Sequence, residues 1–270
     1  MKKKYVSHII TFFAILLIIS GLMLMLYATW PQLSSLIQYK TQTLLYTQLT
    51  APTYPIKTPP TSFSSLIMHS CKSAKFTPTS PTPAQIQDKY LPLLAVNPEV
   101  IGWITIEDTP INYPLVQHSD NTYYLSYDSN NSPSVYGSIY IDHRNQSDLD
   151  NKNTLIYGHN MNNGAMFHAL INFKDKDFFE KHPYIYVSNL YTQFAYEVFA
   201  VYVVDANQET IGVNYASDAA FLDYLNACQS RSLFTRPINF TATDQIITLV
   251  TCSYELDNVR TIVQAKRITH

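Results

Sequence analysis

The chain has 270 residues, a net charge of −2 and only 14% charged residues, so nothing in it suggests electrostatic binding to nucleic acid. Hydrophobic residues make up 46%, with 21 Tyr and 13 Phe, which is ample for a core. Six Gly is few for a chain rich in β-forming runs, so its turns must draw on Asn, Asp, Ser and Pro.

Lys2-Lys3-Lys4 precede an apolar run from Ile9 to Ala28 whose polar interruptions are Thr11 and Ser20. Such a run matches the roughly 20 residues that cross a hydrocarbon core of about 30 Å. Tyr27 and Trp30 stand at its far end, where amphipathic aromatics favour the interface. A cleavable signal peptide would have a shorter apolar region, about 7–15 residues, followed by a small-x-small site. Leu22 to Tyr27 is bulky throughout, so residues 1–30 read as an uncleaved single-pass anchor in the cell membrane. Its basic end stays cytoplasmic and the rest of the chain lies outside.

Residues 32–50 read as a short helix leaving the membrane. Residues 51–84 hold 7 Pro, 6 Thr and 6 Ser, a composition that buries little and suits an extended spacer. The expected division is therefore anchor (1–30), helix and spacer (31–84), and main folded domain (85–270).

From Gln85 to Val96 the pattern predicts an amphipathic helix broken near Pro92. Eight strand-like runs follow, at 101–106, 110–116, 136–142, 154–159, 184–188, 193–205, 246–252 and 259–268. Helical pieces are expected at 120–127, 165–173 and 217–230, the last with Ser217 as N-cap and Asp218 in its first turn. Strands this numerous, joined mostly by turns, predict a mainly β fold: a closed eight-stranded barrel with peripheral helices, preceded by the transmembrane helix. The 217–230 helix is expected as an excursion between the seventh and last strands, over the barrel mouth.

Three cysteines cannot all pair with one another. Cys71 falls in the spacer. Cys228 continues an apolar stripe with Phe221 and Leu225, as a core thiol would. A Cys71–Cys228 disulfide is open to them in an oxidising compartment. Cys252 remains the odd thiol.

Cys252 ends one β-forming run and Arg260 opens the next, so a hairpin would set them opposite each other. The plain reading of a lone Cys is a buried strand end. Beside a permanent cation, however, a thiol is a nucleophile candidate, because nearby positive charge favours the reactive thiolate. His159 follows Gly158 at a strand-to-loop junction, placed to act outward. His8, His118, His143, His168 and His182 sit in less telling positions. Asp142, His143, Asp148 and Asp150 make an acidic patch, but no CxxC, HExxH or EF-hand spacing occurs. The patch reads as a solvated loop, with no metal expected.

Tyr157-Gly158-His159-Asn160-Met161, Thr248-Leu249-Val250-Thr251-Cys252 and the following Arg260 together resemble sortases, the cysteine transpeptidases of Gram-positive surfaces. The resemblance covers residues 86–270 and is nearest to class B, through Asn97 to Ile104, Tyr113 to Gln117, Asp120-Asn121 with Tyr124-Leu125, and Gly137-Ser138-Ile139. It implies Cys252 as nucleophile, His159 as acid/base and Arg260 as oxyanion or substrate clamp, with no cofactor. By position it implies substrate contacts at Asn121, Leu125 and Tyr157, and at Ser253 and Glu255 behind the nucleophile; no clear carboxylate orients His159.

The implied partners are secreted proteins with a C-terminal sorting signal and an amino group of peptidoglycan or its lipid-linked precursor. Other readings are a pilin-polymerising sortase, a Cys/His cell-wall peptidase of another family, and a catalytically dead anchored binding module. The first usually has an Asp-Pro-aromatic lid and a second C-terminal span, of which the sequence shows neither. In papain-like peptidases Cys precedes His, whereas here His159 comes 93 residues before Cys252. The third is disfavoured because Cys, His and Arg are all present.

Overall fold

The computed structural model of the chain describes residues 2–48, 85–205, 211–252 and 259–268. The expected spacer, with Cys71 in it, lies outside these residues. Helix α1 (Lys2–Gln48) is one element of 47 residues that runs through Pro31. The expected membrane run and the short helix after it are thus a single rod, about 70 Å long at 1.5 Å per residue. Within Phe12–Thr41 it is long and apolar enough to cross a membrane, and its most apolar stretch buries nothing against the rest of the chain.

A 3₁₀ turn at Asp88–Tyr90 leads into α2 (Leu91–Val96), with Pro92 in the first turn. There Pro starts the helix instead of breaking it, because a first-turn residue has no helical N–H bond to lose. The remaining elements are β1 (Val100–Thr105), β2 (Asn112–Val116), β3 (Ile139–Ile141), β4 (Asn153–Tyr157), α3 (Lys176–Lys181), β5 (Tyr184–Asn189), β6 (Gln193–Asp205), α4 (Asp218–Ser230), β7 (Ile246–Cys252) and β8 (Val259–Arg267). All eight strand-like runs form strands, and these close into a barrel in the order β1-β2-β3-β4-β7-β8-β6-β5. The pieces expected at 120–127 and 165–173 shrink to 3₁₀ turns at Tyr123–Leu125 and His168–Lys174.

The period-two alternation of the strands separates two apolar layers. Ile247 and Leu249 of β7, Ile156 of β4 and Val263 and Ala265 of β8 share the interior core with β1 and β2. Their neighbours Ile246, Val250, Leu155 and Ile262 point outward and pack under Phe221, Leu225 and Cys228 of α4. Ser217 caps α4 by accepting from the Ala220 N–H at 3.1 Å.

The position of α4 differs from the expectation. It lies between the sixth and seventh strands, flat on the outer wall and not over the mouth. The reason is topological. β6 and β7 are both antiparallel to β8, so they run in the same direction. The link between them must travel back along the sheet, and a crossover helix on the outer face does this.

Candidate active site

Two strand pairings bring the chemistry-bearing positions to one end of the sheet. β4 and β7 are parallel, with Tyr157 beside Val250. Continuing that register by two residues brings His159 level with Cys252. β7 and β8 are antiparallel, and Cys252 is paired with Arg260. Positions 159, 252 and 260 therefore meet at the ends of three adjacent strands, although the first two are far apart in sequence. Arg260 is half-buried and shares a face of β8 with Ile262, which lies under α4.

Local bonds tie these strand ends together. The Gly158 N–H donates to the Val250 carbonyl at 3.2 Å. The Thr251 hydroxyl donates back to the Gly158 carbonyl at 2.8 Å. One side chain thus links the residue before His159 to the residue before Cys252. Gly158 has no alternative here: an added Cβ would fall 2.8 Å from the Phe167 ring and closer still to Ile139. Thr251 stood in the quoted motif without a role; its signal was a hydroxyl immediately before the Cys, whose partner lies on another strand.

His159 is half-buried, and its Nε2 lies 2.8 Å from the Leu125 carbonyl oxygen. A carbonyl only accepts, so Nε2 carries the proton and Nδ1 is the basic nitrogen of the neutral ring. The group that orients the ring is a backbone carbonyl and not a carboxylate. The His159 carbonyl in turn accepts from the Phe167 N–H at 2.8 Å, closing the loop that His159 opens. Leu125 is 39% exposed beside His159. Gly137, at φ 57°, sits so close to the Tyr124 and Leu125 carbonyls that a Cβ there would lie 2.9 Å from the Leu125 oxygen.

Asn121 and Tyr157 are turned toward one buried carboxylate. Asn121 Nδ2 and the Tyr157 hydroxyl each donate to Asp142 Oδ2 at 3.0 Å. Arg144 grips the same carboxylate from Nε and Nη2, both at 2.8 Å. The Asn121 oxygen accepts from the His143 N–H at 2.9 Å, so both ends of its amide are engaged. Burial works to raise the Asp142 pKa, but the hydrogen bonds from Arg144 and Tyr157 outweigh it and hold the carboxyl down at about 2. Tyr157 is pushed well above the usual phenol range, by burial first and then by the Asp142 charge.

Asp142 is thus no part of a solvated acidic loop: it is fully buried and paired, while Asp148 and Asp150 are exposed. Among the described residues no three His, Cys, Asp or Glu side chains converge as a metal site would require. Ser253 and Glu255 lie outside the described residues. Cys228 is a free, buried thiol, not half of a disulfide, and accepts from the Tyr202 hydroxyl at 3.5 Å.

The family model for the sortase domain matches residues 104–268. Sortase B of Listeria monocytogenes is 39% identical over 188 residues, which cover 68% of this chain and 76% of that protein. Among solved structures, sortase B from B. anthracis in complex with AAEK1 is 37% identical with a TM-score of 0.64, covering 68% of this chain and 86% of that one. The Staphylococcus aureus sortase B–substrate complex is 31% identical with a TM-score of 0.64, over 68% of this chain and 86% of that one.

Proposed function

Because the chain belongs to the sortase family of cysteine transpeptidases, on its class B side, we propose that Cys252, His159 and Arg260 carry its reaction. The Cys252 thiolate attacks the carbonyl carbon of a peptide bond in a C-terminal sorting signal, and the carbonyl electrons move onto oxygen. Arg260, a permanent planar cation, holds that oxyanion without competing as a base. As the intermediate collapses, the C–N bond breaks and the His159 imidazolium gives its proton to the departing amine. A thioacyl-enzyme remains. An amino group of peptidoglycan or its lipid-linked precursor then attacks the thioester carbon, His159 removes its proton, and the C–S bond breaks to release the Cys252 thiolate beside the imidazolium.

The observation that carries this reading is the register of β4, β7 and β8, which sets positions 159, 252 and 260 at one sheet end. Leu125, Asn121 and Tyr157 are proposed as substrate contacts, the last two as fixed groups because Asp142 holds their polar ends. Ser253 and Glu255 are proposed as the rim behind the nucleophile. The reading takes residues 85–270 as the catalytic unit. It takes α1 as the membrane anchor, with Lys2, Lys3 and Lys4 on the cytoplasmic side and the barrel outside.

The test is a peptide library with Asn-Pro-x-Thr-Asn and Pro-x-Thr-Gly cores, incubated with the full chain in detergent and followed by mass spectrometry. An acyl adduct on Cys252 reads the cleaved end of the motif directly. Cys252→Ala should give neither adduct nor cleavage; continued cleavage by that variant would sink the assignment.

A further inference from the structure

Helix α1 does not end its work at the membrane surface. Within the Phe12–Thr41 stretch, Gln32, Ser34, Ser35, Gln38 and Lys40 follow Trp30 among Leu33, Leu36 and Ile37, so the continuous apolar run closes near Trp30 and the bilayer boundary is taken there. Tyr39 lies nine residues beyond, about 14 Å further along the helix. Among the described residues, Tyr39 is the α1 side chain that joins the barrel's main core. Its ring stacks on Tyr136, with centroids 4.8 Å apart and planes 17° from parallel. Its hydroxyl lies 3.2 Å from the Tyr113 hydroxyl.

Both tyrosines that Tyr39 touches hold the loop opened by His159. The Tyr113 hydroxyl accepts from the Met166 N–H at 3.0 Å. The Tyr136 hydroxyl accepts from Asn163 Nδ2 at 3.0 Å. Met166 has φ 57°, a left-handed conformation that costs a non-glycine residue about 1 kcal/mol and persists only where its surroundings enforce it. Met166 also bridges to Asn160, the residue after His159. On the other side, Tyr136 precedes Gly137, which abuts the Leu125 carbonyl that orients the His159 ring. Two short routes therefore run from Tyr39 to His159, one through the loop backbone and one through the ring's acceptor.

We propose that Tyr39 is a positioning residue for His159, so that the segment of α1 outside the membrane is a working part of the catalytic domain and not a passive stalk. The proposal rests on His159 being the acid/base. It predicts that the barrel is most active while docked on its own anchor helix, and that undocking loosens the loop from His159 to Phe167.

The experiment uses the full chain in lipid nanodiscs, as Tyr39→Ala, Tyr39→Phe and His159→Ala variants beside the parent. Cleavage of a quenched fluorescent peptide with an Asn-Pro-x-Thr-Asn core gives kcat and KM, and hydrogen exchange reports the Met166 and Phe167 amides. If this peptide is a poor substrate, one found by library screening serves. Tyr39→Ala should speed exchange at both amides at least about fivefold and lower kcat by about five- to twentyfold, with KM within about twofold. Tyr39→Phe keeps the ring stack and should recover most of the loss. Parental exchange and kcat in Tyr39→Ala would overturn the proposal, as would a change in only one of the two. His159→Ala separates the premises: retained turnover there removes the acid/base role itself, whereas its loss beside a silent Tyr39→Ala defeats the docking role alone.

Discussion

Arg260 shows how residue chemistry narrows a role. A Lys in its place keeps the charge but loses the planar fork with which we propose that Arg260 holds the carbonyl oxygen. We predict that Arg260→Lys lowers kcat/KM at least about 100-fold, in the range seen for loss of an oxyanion donor. Near-parental turnover would show that charge alone suffices. Asp142 makes the opposite case, a strongly perturbed group with a supporting role. Its folded pKa of about 2 lies below the ordinary value of 3.8, so it contributes stability that is present above about pH 4 and lost as pH falls toward 2. Asp142→Asn should cost about 2 kcal/mol at neutral pH, an amount kept modest because Arg144 is partly exposed. In thermal melts the gap between parent and variant should close below pH 4; a gap that persists there would deny the ion pair. The strand-end placement of positions 159, 252 and 260 was legible because each has a distinctive neighbour there; the catalytic roles are our proposal. The importance of Asp142 was not, because a carboxylate among other loop acids carries no mark of burial in the sequence.

At the scale of the element, the strands were easier to read than their surroundings. β-branched and aromatic runs bounded by turn residues predicted all eight strands to within a few positions. The helix α4 was equally legible, since Ser217, Asp218 and the Phe221, Leu225, Cys228 stripe all state a start and a face. Its destination was not. The stripe says that one side is buried but not which wall it covers, and that depends on β6 and β7 running in the same direction on either side of β8. Leu225 is fully buried between α4 and that wall. Leu225→Ala should therefore cost about 2–4 kcal/mol and lower Tm by roughly 5–12 °C. A loss below about 1 kcal/mol would mean that α4 rests loosely on the barrel. The shorter helical pieces at 120–127 and 165–173 contracted to 3₁₀ turns because their backbone groups find partners elsewhere. The Tyr124 carbonyl, for one, accepts from Ser138 N at 2.9 Å, outside any helix.

For the whole molecule, the decisive event is closure. β1 seals the barrel against β5, with Gly102 opposite Asn189 and Trp103 opposite Ser188. Gly102 also sits where the β1–β2 register shifts, a place that favours a residue without a side chain. A Cβ there would run into the Ser188 carbonyl, with its carbon only 3.0 Å away. Gly102→Ala should destabilise the domain by about 3 kcal/mol and release β1 and β5 amides to hydrogen exchange before the rest. Uniform protection across all strands would show that the seam tolerates the methyl.

What the sequence by itself determined was local: which runs extend, where α4 starts, and that one thiol ends a strand beside a cation. These depend on spacing and side-chain type over a few residues, where propensity and patterning act directly. The tertiary structure alone decided which ends meet. The parallel pairing of β4 with β7 sets position 159 level with 252, the β4 end draws Tyr157 onto Asp142, and α1 reaches the loop after His159 through Tyr39. Such contacts join residues 15 to 93 positions apart, and their energy depends on a closed barrel that no local pattern encodes.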